Sequence, residues 1–297
     1  MTGNRFLLIG GDSEIARATA AHVRERGSAA LSTTRRSDTV GPHRVFLDLV
    51  EPLDDWRSPP AISAACIFAA IGNIPDCARD PSGSAFINTI QTVRLADRLV
   101  AGGIPALFLS TDKVFDGSRP QMPADTPLCP LTEYGRQKAA TEQALNERIA
   151  AGAPITILRF AKIVSPGMAL LRGWCEALAA GIPVHPFFDL VMAPTPVALA
   201  AAAVAGLLAG QQRGIFQLSG PRDVTYAEVA YDLARRLGAP AALVDPVSAH
   251  SAGLPPGSTP AHTTLDSGKV RDALGISVAN PWEVVGDLAP SCLPPAR

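Results

Sequence analysis

Over its first half the chain alternates short, unbroken apolar runs with longer stretches whose apolar residues return every three or four positions. Runs of the first kind at 6–9, 29–32, 45–49, 65–70, 106–110 and 155–159 predict strands. Stretches of the second kind at 14–26, 85–100 and 133–150 predict helices, with Gly27 and the pair Gly102 and Gly103 where helices should stop. Strands and helices in strict succession predict crossover units, hence an α/β fold with a Rossmann-like, doubly wound parallel sheet.

Beyond residue 159 the alternation loosens. Helical patterns at 168–180, 197–209 and 226–237 are separated by short strand-like runs at 215–218 and 242–244. Thr195 and Pro196 read as an N-cap followed by proline at the first helical position, and Thr225 with Glu228 fits a capping box. Residues 247–264 are rich in Pro, Gly and Ser and are expected to run over the surface as a long loop. The uncharged stretch 190–212 imitates a membrane span, but Pro194 and Pro196 break its start and the remainder is mostly Ala, so a core helix and no membrane partner are expected.

Composition narrows the function classes. Apolar residues form 47% of the 297-residue chain and charged residues 18%, enough apolar surface to offset chain entropy. The 26 basic against 27 acidic side chains supply no field for a phosphate backbone, which argues against nucleic acid. Five scattered cysteines (Cys66, Cys77, Cys129, Cys175 and Cys292) form no C-x-x-C or Cys/His cluster, so no metal is expected. His22, His43, His185 and His250 do not cluster either. The cysteine usage and the short apolar run near the amino terminus suit a cytoplasmic location without export.

Chemistry enters at the first strand-to-helix turn, Gly10-Gly11-Asp12-Ser13-Glu14-Ile15-Ala16, where small residues let a backbone approach a pyrophosphate at a helix N-terminus. The second strand is followed by Arg35 and Arg36 where an NAD-selective site presents an acid. Guanidinium groups pair with a 2′-phosphate, so NADP(H) is the expected cofactor, with NAD the alternative. Asp48, ending the third strand, either accepts from the adenine amino group or caps its own turn, and Ala69 and Ala70, at the end of the fourth, belong to the same cofactor set. Residues 1–160 thus form the expected dinucleotide-binding domain, and 161–297 a smaller, mainly substrate-binding lobe that interleaves with it.

Tyr134 and Lys138 lie four residues apart, one above the other on a helix face. A nearby ammonium stabilises a phenolate and is expected to draw the phenol pKa toward the working range. Thr111 ends a parallel strand, where open α/β sheets bind ligands, and its hydroxyl can hold a substrate oxygen while Tyr134 exchanges the proton. Asp112 and Lys113 beside it, and Lys162, Arg172 and Trp174 in the second lobe, are substrate candidates: a cation for a diphosphate, an aromatic ring for a base.

At these residues the chain resembles the extended short-chain dehydrogenase/reductase family, and within it the dTDP-4-dehydrorhamnose reductases. The resemblance rests on Gly10-x-x-Ser13-x-x-Ala16, the block from Ser110 to Gly117, Tyr134-x-x-x-Lys138, Asn88, Leu158-Arg159 and the tail from His262 to Lys269 with Pro281-Trp282-Glu283. It implies Thr111, Tyr134 and Lys138 as the catalytic set, with Lys138 also holding the nicotinamide ribose. It implies an NADP-preferring reductase of a nucleotide-linked 4-keto-6-deoxy sugar, and a homodimer is a further expectation. The chain departs from the family pattern at Ser13 and Ala16, where glycines are usual, at Lys113 for tyrosine, and at His262 for asparagine. Two alternatives stay open: a non-catalytic nucleotide-binding regulatory subunit, like that of methionine adenosyltransferase, and a reductase or epimerase of another carbonyl compound.

Overall fold

β1 (Arg5–Ile9) is buried along nearly its whole length because helices cover both faces of the sheet it founds, which is why it reads as an unbroken apolar run. The computed structural model describes residues 3–255 and 257–287; Cys292 lies outside them. After β1 come α1 (Glu14–Glu25), β2 (Ala29–Thr34), β3 (Arg44–Phe46), β4 (Ala64–Ile67), α2 (Ile74–Arg79) and α3 (Pro81–Ala85). A π-helical turn (Phe86–Gln91) leads into α4 (Thr92–Ala101), then β5 (Ala106–Thr111), α5 (Glu133–Ala150) and β6 (Ile155–Phe160). The rest of the chain forms β7 (Ile163–Val164), α6 (Ala169–Ala179), β8 (Val191–Met192), β9 (Thr195–Pro196), α7 (Val197–Ala209), β10 (Gly214–Leu218), β11 (Val224–Thr225), α8 (Tyr226–Leu237), α9 (Gly268–Leu274) and α10 (Pro281–Gly286).

Seven parallel strands run in the order β10-β6-β5-β4-β1-β2-β3, so the winding reverses between β1 and β4. That switch point opens a crevice beyond the carboxyl ends of both strands, the place where doubly wound sheets take ligands. One face is sealed by α1 and α7, with Ala20, Val23, Ala200 and Val204 in a single apolar cluster, and the other by α4 and α5 through Leu95, Leu99 and Leu145. A third cluster joins α6, α8 and α10 through Leu171, Cys175, Leu233 and Val284 as the body of a smaller lobe. Residues after 160 also contribute α7 and β10 to the main sheet layer. The stretch 190–212 is therefore largely the core helix α7, and no helix among the described residues is long and apolar enough to cross a membrane.

Five expectations need correction. The helix expected over 85–100 is broken at the π turn, because Asn88 turns its amide to partners in other elements. Residues 242 and 243 belong to a 3₁₀ turn (Ala241–Leu243) that Val244 ends, rather than to a strand; one bridge, Val184 to Val244, is all the pairing that this stretch forms. Thr195 is not the cap of α7: it pairs with Ile163 in β9, its N–H donates to Lys162, and Pro196 takes the cap position. β3 and β4 end early, at Phe46 and Ile67, which leaves Asp48, Ala69 and Ala70 on loops. The 247–264 segment contains no helix or strand among its described residues, yet it dips inward at Ala249, Ser258, Thr263 and Thr264 and pairs with the loop after β5, where the His262 N–H donates to the Gly117 carbonyl.

Candidate active site

The crevice at the switch point is a cleft of about 620 Å³. Gly10, with φ +87°, closes its floor; a Cβ there would come within 2.6 Å of the Ala69 nitrogen, so the turn admits only glycine. Ser13 sits at φ −72° as the N-cap of α1, accepting from the Ala16 N–H at 3.3 Å. It therefore avoids the left-handed backbone that makes a glycine necessary at such a position, and its departure from the glycine pattern costs no strain. The first-turn N–H groups of α1 have no intrahelical acceptor, which suits an anionic pyrophosphate.

Gly10, Asp12, Ser13, Arg35, Asp48, Ala69 and Ala70 line this cleft. Asp48 caps its own turn, its carboxylate accepting from the Val50 N–H at 3.1 Å, and it also lines the cleft. Five residues of the expected cofactor set do not line it, Lys138 of α5 among them. Gly11 is packed against β2, where a Cβ would lie 2.4 Å from the Ser32 Cβ. The exposed Glu14 side chain sets its carboxylate beside Gly167 and Ile15 packs against the core, so neither side chain lines the cleft. Arg36 is 59% exposed and pairs with Asp12 at 3.0 Å. Arg44 on β3, which no local motif marks, also pairs with Asp12.

A second cleft of about 350 Å³ meets the first at Gly72 and holds Thr111, Asp112, Lys113, Tyr134, Lys162 and Tyr226. Thr111 closes β5; its hydroxyl donates to Asp112 at 3.0 Å and accepts from the Lys113 N–H at 3.2 Å. Lys113 pairs with Asp112 at 2.9 Å. Tyr134 stands in the first turn of α5, which Thr132 caps by accepting from the Gly135 N–H at 3.1 Å. Gly135 is required because a Cβ there would lie 2.2 Å from the Lys113 carbonyl oxygen, and this close approach brings α5 down onto the end of β5.

Lys138, one turn along, is 4% exposed. Its ammonium donates to the Leu109 carbonyl at 2.9 Å, lies 4.4 Å from the Phe108 ring centre and 5.9 Å from that of Tyr134. Burial pulls its pKa down to about 8 against the upward pull of Glu142. Burial likewise pushes the Tyr134 phenol well above its ordinary value, the Asp112 carboxylate adding to the rise and the Thr111 hydroxyl offsetting part of it. The expectation that Lys138 draws the phenol down is thus corrected: its ammonium is directed at Leu109, and desolvation dominates both groups. Tyr134 is held as a protonated phenol, the form of a general acid.

Asn88 supports this site from behind, accepting from the Ile71 N–H at 2.8 Å and donating to Gln137 of α5 at 2.8 Å. It ties the loop after β4 to the helix that carries Tyr134 and Lys138. Lys162 faces the second cleft, its pKa lowered by burial and by neighbouring Lys113. Arg172 and Trp174 do not reach it. Arg172 is exposed on α6 and pairs with Glu176 at 3.5 Å, while Trp174 packs into the lobe, edge-on to Tyr226 with ring centres 6.2 Å apart. Tyr226 is the aromatic group of the second lobe that lines the cleft, and the capping box that begins α8 was the signal for its position. Among the described residues no cluster of three or more His, Cys, Asp or Glu is placed to hold a metal.

The family model described as the RmlD substrate binding domain matches residues 4–288. The chain is 28% identical over 236 residues to a probable low-salt glycan biosynthesis reductase of Haloferax volcanii, covering 77% of this chain and 76% of the relative. It is 27% identical over 234 residues to a dTDP-4-dehydrorhamnose reductase of Sinorhizobium fredii, covering 73% and 75%. The crystal structure of a dTDP-4-dehydrorhamnose reductase from Bacillus anthracis in complex with NADP has the same fold, with a TM-score of 0.78, 17% identity and coverage of 96% of this chain and 98% of that one.

Proposed function

This chain belongs to the RmlD substrate-binding domain family, and on that premise we propose that it reduces the keto group of a nucleotide-linked 4-keto-6-deoxy sugar, with NADPH preferred. At the coarser level it is an NAD(P)-dependent oxidoreductase of the extended short-chain dehydrogenase/reductase type. The observation that carries the finer reading is a half-buried Tyr134, held protonated, beside Thr111 in the second cleft at the end of β5. The glycine turn, which approaches Ala69 too closely for any Cβ, and the N-terminus of α1 fit a dinucleotide. When bound, the nicotinamide supplies hydride to a carbonyl carbon. Thr111 then orients the carbonyl and Tyr134 gives its proton to the oxygen, while the Lys138 ammonium, one turn along α5, is the group that the family resemblance assigns to holding the nicotinamide ribose. Arg35, facing the larger cleft where β2 ends without an acid, supports NADPH. Solved structures of this fold hold NAD in several cases and NADP in another.

The test is NADPH consumption with a dTDP-4-keto-6-deoxy sugar against a panel of other nucleotide sugars. Turnover with the keto sugar and not with its 4-hydroxyl counterparts is expected; no oxidation of NADPH with any nucleotide keto sugar would remove the reading. Dehydration should fail. Related 4,6-dehydratases follow the threonine with an acid and a carboxylate base, whereas here the second position is Lys113, an ammonium already paired with Asp112 at 2.9 Å. Incubation with NADP and nucleotide hexoses should yield no product lighter by one water, and its appearance at turnover rates would contradict the assignment.

The pH dependence has a definite sign. Lys138 is charged below about pH 8 and loses its proton above it, while Tyr134 stays protonated across that range. The value of kcat/KM should therefore be level near neutrality and fall as pH rises through about 8. Lys138→Arg, whose guanidinium stays charged, should move that limb to higher pH. A limb that stays in place would assign it to another group.

A further inference from the structure

We propose that Asp12 determines cofactor specificity, its carboxylate engaging the guanidinium groups of Arg36 and Arg44 that a 2′-phosphate would otherwise recruit. The inference rests on the proposed binding of a nicotinamide dinucleotide in the larger cleft. Asp12 lies on the β1–α1 turn and lines that cleft. Its Oδ2 accepts from the Thr34 hydroxyl at 2.9 Å and its Oδ1 from Arg36 at 3.0 Å; Arg44 donates to Oδ1 as well. Partial burial pushes the carboxyl up, but these three donors outweigh it and hold Asp12 below the ordinary carboxylate range. It is a fixed anion.

Thr34 is the last residue of β2, the position from which an acid reads ribose hydroxyls in NAD-selective sheets. β2 has no such acid, and the turn supplies one from the other side. A phosphate monoester carries about two negative charges, so it would meet Asp12 as a like charge and compete with it for both arginines. Arg44 is brought to Asp12 by its backbone, which is registered against Ser32 in the sheet, and its buried Nε has no hydrogen-bond partner. Arg35, which faces the cleft and has no part in this triad, is left as the guanidinium open to a phosphate. The wild-type chain should therefore accept both cofactors, with its advantage for NADPH held down by Asp12.

The experiment is fluorescence titration of NADPH and of NADH into the wild type, Asp12→Asn, Asp12→Ser and the double variant Asp12→Asn with Arg44→Gln, each checked for folding by thermal melting. Both single variants should tighten NADPH at least about tenfold relative to NADH, and the double variant should lose most of that gain. An unchanged ratio, or equal changes for the two cofactors, would overturn the inference even where the wild type prefers NADPH. A wild type that prefers NADH, with Asp12 variants that swing to NADPH, would support the inference while removing the proposed NADPH preference. Failure of every form to bind either cofactor would overturn both.

Discussion

Tyr134→Phe should lower kcat by about 10²- to 10⁴-fold, the usual worth of a positioned acid-base group. Only the hydroxyl is removed. The ring remains in the first turn of α5, Gly135 still seats that turn on the Lys113 carbonyl, and Lys138 still donates to Leu109. Cofactor affinity should accordingly change little, because the larger cleft takes none of its lining from Tyr134. The burial that raises the phenol pKa suits the reductive direction, in which the acid enters the reaction already protonated. Steady-state kinetics and NADPH titration on the folded variant decide the matter, and near-wild-type turnover would end Tyr134's role as proton donor. Thr111→Val gives a useful contrast. It removes the hydroxyl that binds Asp112 and caps the turn to Lys113, so it should raise KM as well as lower kcat.

How far the sequence alone led depended on whether each signal was local. The strands at 106–111 and 155–160 were legible because a sheet covered on both faces leaves an unbroken apolar run. α5, α7 and α8 were legible to within a residue or two because their periodicity is long and, for α8, capped. Asn88 defeats that reasoning: its partners Ile71 and Gln137 are far away in sequence, so nothing nearby announces that its helix will widen into a π turn. Arg172 and Trp174 failed for the opposite reason, since a helix pattern places a side chain on a face without telling a cleft from a core or from solvent. Spacing put Lys138 one turn from Tyr134 but could not show that the Leu109 carbonyl claims its ammonium. Arg44 and Asp12 meet only because β3 lies beside β2 at the sheet edge, a fact of topology.

Arg159→Met should cost about 3–5 kcal/mol of stability, the range for breaking a buried ion pair on one side. Arg159 and Glu142 are 1% and 0% exposed. Both Glu142 oxygens accept from the guanidinium, at 3.0 Å and 2.6 Å, and the remaining donors reach the Ala124 carbonyl at 2.8 Å and Gln217 at 3.0 Å. The pair thus joins α5 to β6, to β10 and to the loop after β5, and its loss leaves a desolvated carboxylate and two unmet acceptors. Removing both charges with Glu142→Leu and Arg159→Met should restore much of the loss, because a well-packed apolar pair escapes the desolvation penalty. Activity should not follow stability. Glu142 lies one turn from Lys138 on α5 and opposes the burial that depresses its pKa, so the double variant should shift the alkaline limb of kcat/KM below pH 8 while remaining folded. Thermal unfolding and a pH profile on the same three proteins separate the two effects. A single variant that loses less than about 1 kcal/mol would mean that water replaces the guanidinium, and a double variant with an unmoved limb would mean that Glu142 does not act on the catalytic lysine.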